Sequence, residues 1–316
     1  WVWIKDRGQS GHDNCLADIV RAAPNLLVSN SSVAQITDSS DGFTAFTSSG
    51  FTLGDNGEGT QSLELNKSGN TFVSWNWAAG GSASSNSDGS VSSSVSANAT
   101  SGFSIVTWTG TGATATIGHG LGAAPKMIII KSVTGASGWR VYHDGIGATK
   151  ALVLETTAAA DTATDYFNDT APTSSVFTVK ANSTNDNTAT MIAYCFAEKQ
   201  GYSKLGSYDG NGNAAGPFIY TGFKPAWLMV KGYAGSDDWI MMDNKRSGFN
   251  SENEYLDSNN NSAESDGSGN IDFLSNGFKI KSTFSSLNYS TGKYVYMAFA
   301  ENPFVTAGTK AAGTAR

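Results

Sequence analysis

The chain has 316 residues, 15% of them charged, a net charge of −7 and 36 glycines among abundant Ser, Thr and Asn. Such small polar residues favour turns over helices, while a hydrophobic fraction of 39% is too high for a disordered chain. The acidic balance argues against nucleic acid as a partner. The longest apolar run, Met127 to Ile130, is far short of the roughly 20 residues that span a bilayer, so no membrane insertion is expected. Cys15 and Cys195 are isolated, which excludes a disulfide framework and leaves the redox compartment open.

In chain order, the first predicted element is an apolar strand ending in Lys5, followed by a Gly-bearing turn and a second amphipathic run (WVWIKDRGQSGHDNCLAD, Trp1–Asp18). SSGFTLG (Ser48–Gly54) and TFVSWNWA (Thr71–Ala78) follow, each alternating in the manner of a strand. ADIVRAAPNLL has helical character but is interrupted by Pro24. GGSASSNSDGSVSSSVSANATS (Gly80–Ser101) reads as a Ser-rich linker, with Val91 and Val95 hinting that part of it lies against a neighbour. Then the same elements return. A leading segment from Gly102 precedes MIIIKSVTGASGWRVYHD (Met127–Asp144), SSVFTVK (Ser174–Lys180) and TMIAYCFA (Thr190–Ala197). A second leading segment from Gly201 precedes WLMVKGYAGSDDWIMMDN (Trp227–Asn244), SNGFKIK (Ser275–Lys281) and KYVYMAFA (Lys293–Ala300).

Three elements in one order, three times over, point to an internal repeat. Short alternating strands between Gly/Asn/Asp/Ser clusters suit sandwiches. The expected fold is therefore all-β: three tandem, homologous, jelly-roll-like β-sandwich modules. They occupy residues 1–80, 102–200 and 201–304, with a linker over 81–101 and a tail over 305–316. The first module lacks a leading segment, and a sandwich without its opening strand has an unpaired edge. The expectation is that the natural polypeptide extends upstream of Trp1, or that another chain supplies the strand.

DGFTAFTSSGFTLG, FVSWNWAAGG, VSANATSGFSIVTWTGTG, IGHGLGAAPKMIIIK and AYCFAEKQGYSKLGSYDGNG resemble a repeat module of tail and tail-fibre proteins of tailed phages, especially marine ones. AFAENPF is similar to the way such proteins end. The resemblance spans nearly the whole chain. It implies a virion structural protein in a fibre or similar appendage, with other virion proteins and a host surface glycan as partners. It implies a homo-oligomer, a trimer in the usual fibre form, although no coiled-coil heptads occur here. It implies no catalytic residues. A capsid or tail decoration protein and a polysaccharide-degrading enzyme are the alternatives.

No constellation of reactive residues argues for an enzyme. His12, His119 and His143 have no nucleophile set beside them, and Asp13, Asp18, Asp41, Asp237 and Asp238 are carboxylates in turns rather than a glycosidase pair. GIGATK and GNGNAAG lack phosphate-loop spacing. Trp139 and Trp239 share one position after a turn, where copy one aligns Asp13. With Tyr142 and His143 they form the candidate binding set; sugar stacking is one reading and core packing the other. DSNNNSAESDGSGNID begins as D-x-N-x-N, so Asp257, Asn259 and Asn261 are candidate ligands for a structural Ca²⁺, with a solvated loop as the alternative. No other cofactor is expected.

Overall fold

The three Lys-terminated runs are strands, and alternation along them sets the layering. The computed structural model describes residues 1–37, 42–54, 63–162 and 164–303, whose regular secondary structure is almost entirely antiparallel β-strand. The first segment contributes β1 (Val2–Asp6), β2 (Cys15–Ala17), β3 (Asn25–Val28), β4 (Ile36–Thr37), β5 (Phe43–Phe46), β6 (Phe51–Leu53) and β7 (Phe72–Asn76). Next come β8 (Ser84–Asn86), β9 (Ser93–Asn98), β10 (Phe103–Thr109), β11 (Ala115–Gly118), β12 (Met127–Ser132), β13 (Arg140–His143), β14 (Leu152–Val153), β15 (Val176–Val179) and β16 (Thr190–Phe196). The last segment holds β17 (Ser203–Asp209), β18 (Phe218–Tyr220), β19 (Pro225–Gly232), β20 (Trp239–Asp243), β21 (Leu256–Asp257), β22 (Ile271–Leu274), β23 (Gly277–Ile280), the single-turn α1 (Ser285–Asn288) and β24 (Lys293–Ala300).

One pairing order recurs in the three large sheets: β4-β3-β2-β1-β7, then β14-β13-β12-β16-β10-β9-β8, then β21-β20-β19-β24-β17. The register recurs as well. Lys5 faces Val73, Lys131 faces Ile192 and Lys231 faces Val295. Each large sheet is covered by a small one, β5-β6, β11-β15 and β18-β23-β22 respectively.

Side chains of alternate sign on each strand go to different cores. Trp1 and Trp3, Met127 and Ile129, and Trp227 and Met229 all point into one core common to the three large sheets. Val2 and Ile4, Ile128 and Ile130, and Leu228 and Val230 point outward to three separate cores, each closed by its own small sheet. Each unit is thus a two-layer sandwich whose inner face meets the other two around a shared centre. Trp1, Trp77, Phe103, Tyr194, Phe196, Trp227 and Phe299 form its aromatic heart, with rings 4.5 Å apart between Trp1 and Tyr194 and 5.2 Å between Trp77 and Trp227. The double apolar alternation of the closing strands follows from this: β16 and β24 are covered on both faces.

The linker expected over residues 81–101 is corrected. It forms β8 and β9, which extend the second large sheet beyond β10. Val95 is buried in the second outer core and Val91 bridges to Ile117. Ser hydroxyls that made the tract look like a spacer are used up on carbonyls: Ser93 Oγ donates to Gly118 O at 2.9 Å and Ser96 Oγ to Gly81 O at 2.6 Å. The leading segments then turn at Gly102 and Gly201, whose φ of 74° and 73° places both in the left-handed region where glycine is favoured. Asp41 and the 305–316 tail lie outside the described residues.

Candidate functional site

The expected binding set is buried. Trp139, Tyr142, His143 and Trp239 are each no more than 1% exposed, so none can stack on a ligand from solvent. Tyr142 points to the second outer core, while Trp139 and Trp239 point to the shared centre. The strand pairing also corrects their alignment with the first segment. Ile4 pairs with Cys15, Ile130 with Arg140 and Val230 with Ile240. The β1–β2 loop is therefore one residue longer than its counterparts, and Asn14, rather than Asp13, is the equivalent of Trp139 and Trp239.

These three residues close a ring. Trp139 Nε1 donates to Val28 O at 2.9 Å, Trp239 Nε1 donates to Val153 O at 2.9 Å, and Asn14 Nδ2 donates to Asp257 O at 3.2 Å. Second segment thus binds first, third binds second, and first binds third. The backbone amides of the same residues find acceptors two positions beyond those carbonyls: Asn30 Oδ1 for Asn14 (2.8 Å), Glu155 Oε2 for Trp139 (3.0 Å) and Asn259 Oδ1 for Trp239 (2.8 Å). A second ring of contacts joins the same three pairs of segments. Tyr194 Oη donates to Asp18 at 2.8 Å, His143 Nε2 meets Tyr296 O at 3.1 Å, and Trp75 Nε1 donates to Asp243 at 3.1 Å. Arg21 and Arg246 clamp Asp18 and Asp243 at 2.5 and 2.6 Å; desolvation opposes the Asp243 charge, yet Arg246 and Trp75 together hold its carboxyl below the usual range. His143, enclosed on all sides, is pushed down to about 4 by burial.

The candidate calcium residues lie at the same joint, where one Asp257 carboxylate oxygen, Oδ1, is buried without a hydrogen-bond partner. Asp257 stands where the other segments have Val28 and Val153, which offer no side-chain ligand. The Asn259 amide is engaged by Trp239 N and by Asp238 (2.8 Å), the Asp257 carboxylate by Asn260 Nδ2 (2.8 Å), and the Asn261 carbonyl by Gly11 N (2.8 Å). Among the described residues, no group of three or more His, Cys, Asp or Glu side chains is placed to hold a metal. The three lysines have a packing role too. Lys5 Nζ donates to His12 O, Lys131 Nζ to Ser132 O and Gly135 O, and Lys231 Nζ to Asp237 O and Thr157 O, so each ties down the hairpin loop that follows it. Burial lowers Lys131 and Lys231 to about 8.

With these groups engaged inside, the distinctive surface is the outer edge of β7. Its counterparts β16 and β24 carry β10 and β17 on that side, whereas among the described residues no strand pairs there with β7. Trp77 exchanges bonds with Trp1, and Thr71 O accepts from Arg7 N, so odd-numbered residues face β1. The N–H and C=O groups of Phe72, Ser74 and Asn76 therefore point away from the sheet. A groove lies along each side of the strand. One, of about 380 Å³, is walled by Trp75, Trp77, Tyr202, Trp227 and Phe299; the other, of about 720 Å³, by Trp1, Phe46, Phe51 and Trp77. The indole N–H groups of Trp227 and Trp1, one in each groove, are buried without a partner. The first groove continues at Asn244 and Lys245 into a pocket of about 270 Å³ beside Phe249 and Glu252. Sequence reasoning missed this pocket. Its only signal was Phe249, an apolar residue in the RSGFNSEN loop outside any repeated element.

An all-β protein of three sandwiches locked around one centre, with the first large sheet ending at β7 among the described residues, is the class defined by this fold. Over residues 1–303 the chain matches the family described as Domain of unknown function (DUF7483), and it belongs to that family. No curated protein and no solved structure matches it.

Proposed function

We propose that the chain is a structural protein of a phage virion, part of a tail fibre or similar appendage, that acts by assembly and adhesive contact with the host surface rather than by turnover. The sequence phrases described above support the setting, and so does the reading of the three segments as copies of one module. The observation that carries the assembly role is the open edge of β7 between two aromatic grooves. In the other two sheets this edge is filled by an antiparallel strand with Phe103 and Ile105, or Leu205, turned to the shared core. Strand addition is a common mode of recognition, in which main-chain bonds give affinity and pockets for alternate side chains give specificity. The occupant proposed for β7 is an extended segment of another virion protein with apolar side chains at alternate positions.

A synthetic peptide of the Gly102–Thr109 sequence serves as the probe. It is expected to bind saturably at one per chain, and Ser74→Pro, which removes the central outward N–H, is expected to abolish binding while the chain stays folded. Binding that survives Ser74→Pro, or no binding, would sink the strand-acceptor role. The virion setting is tested separately, by immunogold labelling of purified particles. Absence of the chain from particles, with its presence in the lysate, would overturn it.

A further inference from the structure

The pocket next to β7 has the makings of a ligand site that no packing demand explains. Glu252 is 3% exposed, and its Oε2 has no hydrogen-bond partner. Asn244 is held through Nδ2 by Glu301 at 2.8 Å, and Glu301 is paired with Lys224 at 2.9 Å, yet Asn244 Oδ1 is buried and unpartnered as well. Both atoms belong to side chains that line the same pocket. A buried acceptor left without a donor costs on the order of 1–3 kcal/mol; two on side chains that line one cavity favour a ligand bearing donors. Beside them Phe249 is 86% exposed, the most exposed large apolar side chain among the described residues. A hydrophobic ring held in water next to unpaired acceptors suits a ligand with an apolar face and a polar rim.

Charge narrows the ligand class. Lys224 and Lys245 on the rim oppose a cationic donor such as an ammonium, while Glu252 and Glu301 oppose a carboxylate or sulfate. A neutral polyhydroxy ring meets all four conditions: hydroxyls for Glu252 and Asn244, a C–H face for Phe249, and no net charge. A volume of about 270 Å³ is room for one sugar ring, at the small end of ordinary ligand pockets (about 300 Å³ upward). Desolvation raises the Glu252 carboxyl to about 7, with Asp243 acting in the same direction and Ser247, Lys224 and Arg246 opposing.

We propose that Asn244, Phe249 and Glu252 form a binding site for a neutral hexose-type residue of a glycan. This rests on the adhesive part of the functional reading and gives it a ligand and an address. The experiment is a glycan array with the full chain, followed by saturation-transfer NMR with the best monosaccharide of the panel. The expected result is binding of neutral hexose-bearing glycans, with transfer to the sugar C–H face. Phe249→Ala and Glu252→Gln should each weaken it at least tenfold, while Phe218→Ala, an exposed aromatic elsewhere, leaves it unchanged. Thermal melting confirms that each variant is folded, and Glu252→Asp covers the case in which the Gln variant is not. Glycan binding untouched by the Phe249 and Glu252 variants would overturn the site while leaving adhesion standing. No glycan bound at all would overturn both.

Discussion

Strands β7 and β16 hold the same place in their sheets, pair in the same register with a Lys-terminated neighbour, and send the same alternate side chains to the shared core. They differ in what lies on the far side. β16 is buried along nearly its whole length beneath β10, and β7 keeps Ser74 and Asn76 exposed. Its residues match that difference: polar Ser74 and Asn76 stand where β16 has Ala193 and Cys195, while Trp75 and Trp77 retain their inward anchors. A strand can thus be fixed by one face and one edge while the other edge stays available. The packing of the shared core is what makes the open edge affordable.

The largest expected effect breaks this comparison directly. Ala193 pairs with Val106 across the covered edge, and its amide lies on the β10 side, so Ala193→Pro removes a central ladder bond and is expected to cost about 3 kcal/mol or more. Ser74→Pro at the equivalent place removes no ladder bond and is expected to cost less than about 1 kcal/mol. Denaturant melts of the two variants measure the contrast. Equal losses would mean that the β7 edge is already paired in solution.

The next effect concerns the ring contact at which the second segment has His143 where the others have Asp18 and Asp243. A histidine whose pKa falls from 6.5 to about 4 on folding is neutral in the native state, and the unfolded chain takes up its proton first. Stability is then fully present above pH 6.5 and declines towards pH 4, by about 3 kcal/mol in all. His143→Gln keeps an amide donor for Tyr296 O and removes the titration. Its melts at pH 7.5 and 4.5 are expected to differ by much less than those of the unaltered chain, and an unchanged pH dependence would assign the acid loss elsewhere.

Much of this was legible beforehand, and the misreadings share a cause. The apolar runs WVWIK, MIIIK and WLMVK revealed their strands, and the closing runs, apolar at both alternate positions, revealed double-sided burial, because periodicity is a local property. What no local pattern carries is where a strand's second face goes. For Trp139 and Trp239 the sequence left sugar stacking and core packing both open, because an aromatic after a turn fits either role, and only the carbonyls of Val28 and Val153, more than 80 residues away, decide for the core. The Asp257–Asn261 loop left a calcium site and a solvated loop both open for the same reason. Trp239 N–H takes the Asn259 side-chain oxygen and Gly11 N–H the Asn261 carbonyl, which no spacing could announce. The Ser-rich tract misled through composition, although Val91 and Val95 were the correct clue.

A smaller effect tests the rings. Trp239→Phe leaves Val153 O without its donor and a small void where the second ring packed, so a loss of at least about 1–3 kcal/mol is expected. Asn14→Ala should cost about as much at the corresponding joint, and the double variant should be roughly additive if the joints act independently. A double variant no worse than either single would mean that breaking one joint already opens the ring.

The smallest effect asks whether the open edge loosens the unit that bears it. Cys15 lies on β2 in the first outer core and Cys195 on β16 in the second, both buried and unbridged. Burial raises the Cys195 thiol well above its ordinary range, which suppresses the reactive thiolate until the strand is exposed. Labelling by a thiol reagent in native buffer therefore reports local opening. β16 is bonded on both edges, so Cys195 should react only on global unfolding. Among the described residues the first segment's sheet ends at β7, so Cys15 should react sooner, through openings that do not involve the other two sandwiches. Addition of the Gly102–Thr109 peptide should slow Cys15 and leave Cys195 unaffected. Equal rates for the two thiols would show that the shared core makes the three sandwiches open as one, and that the bare edge has no dynamic consequence.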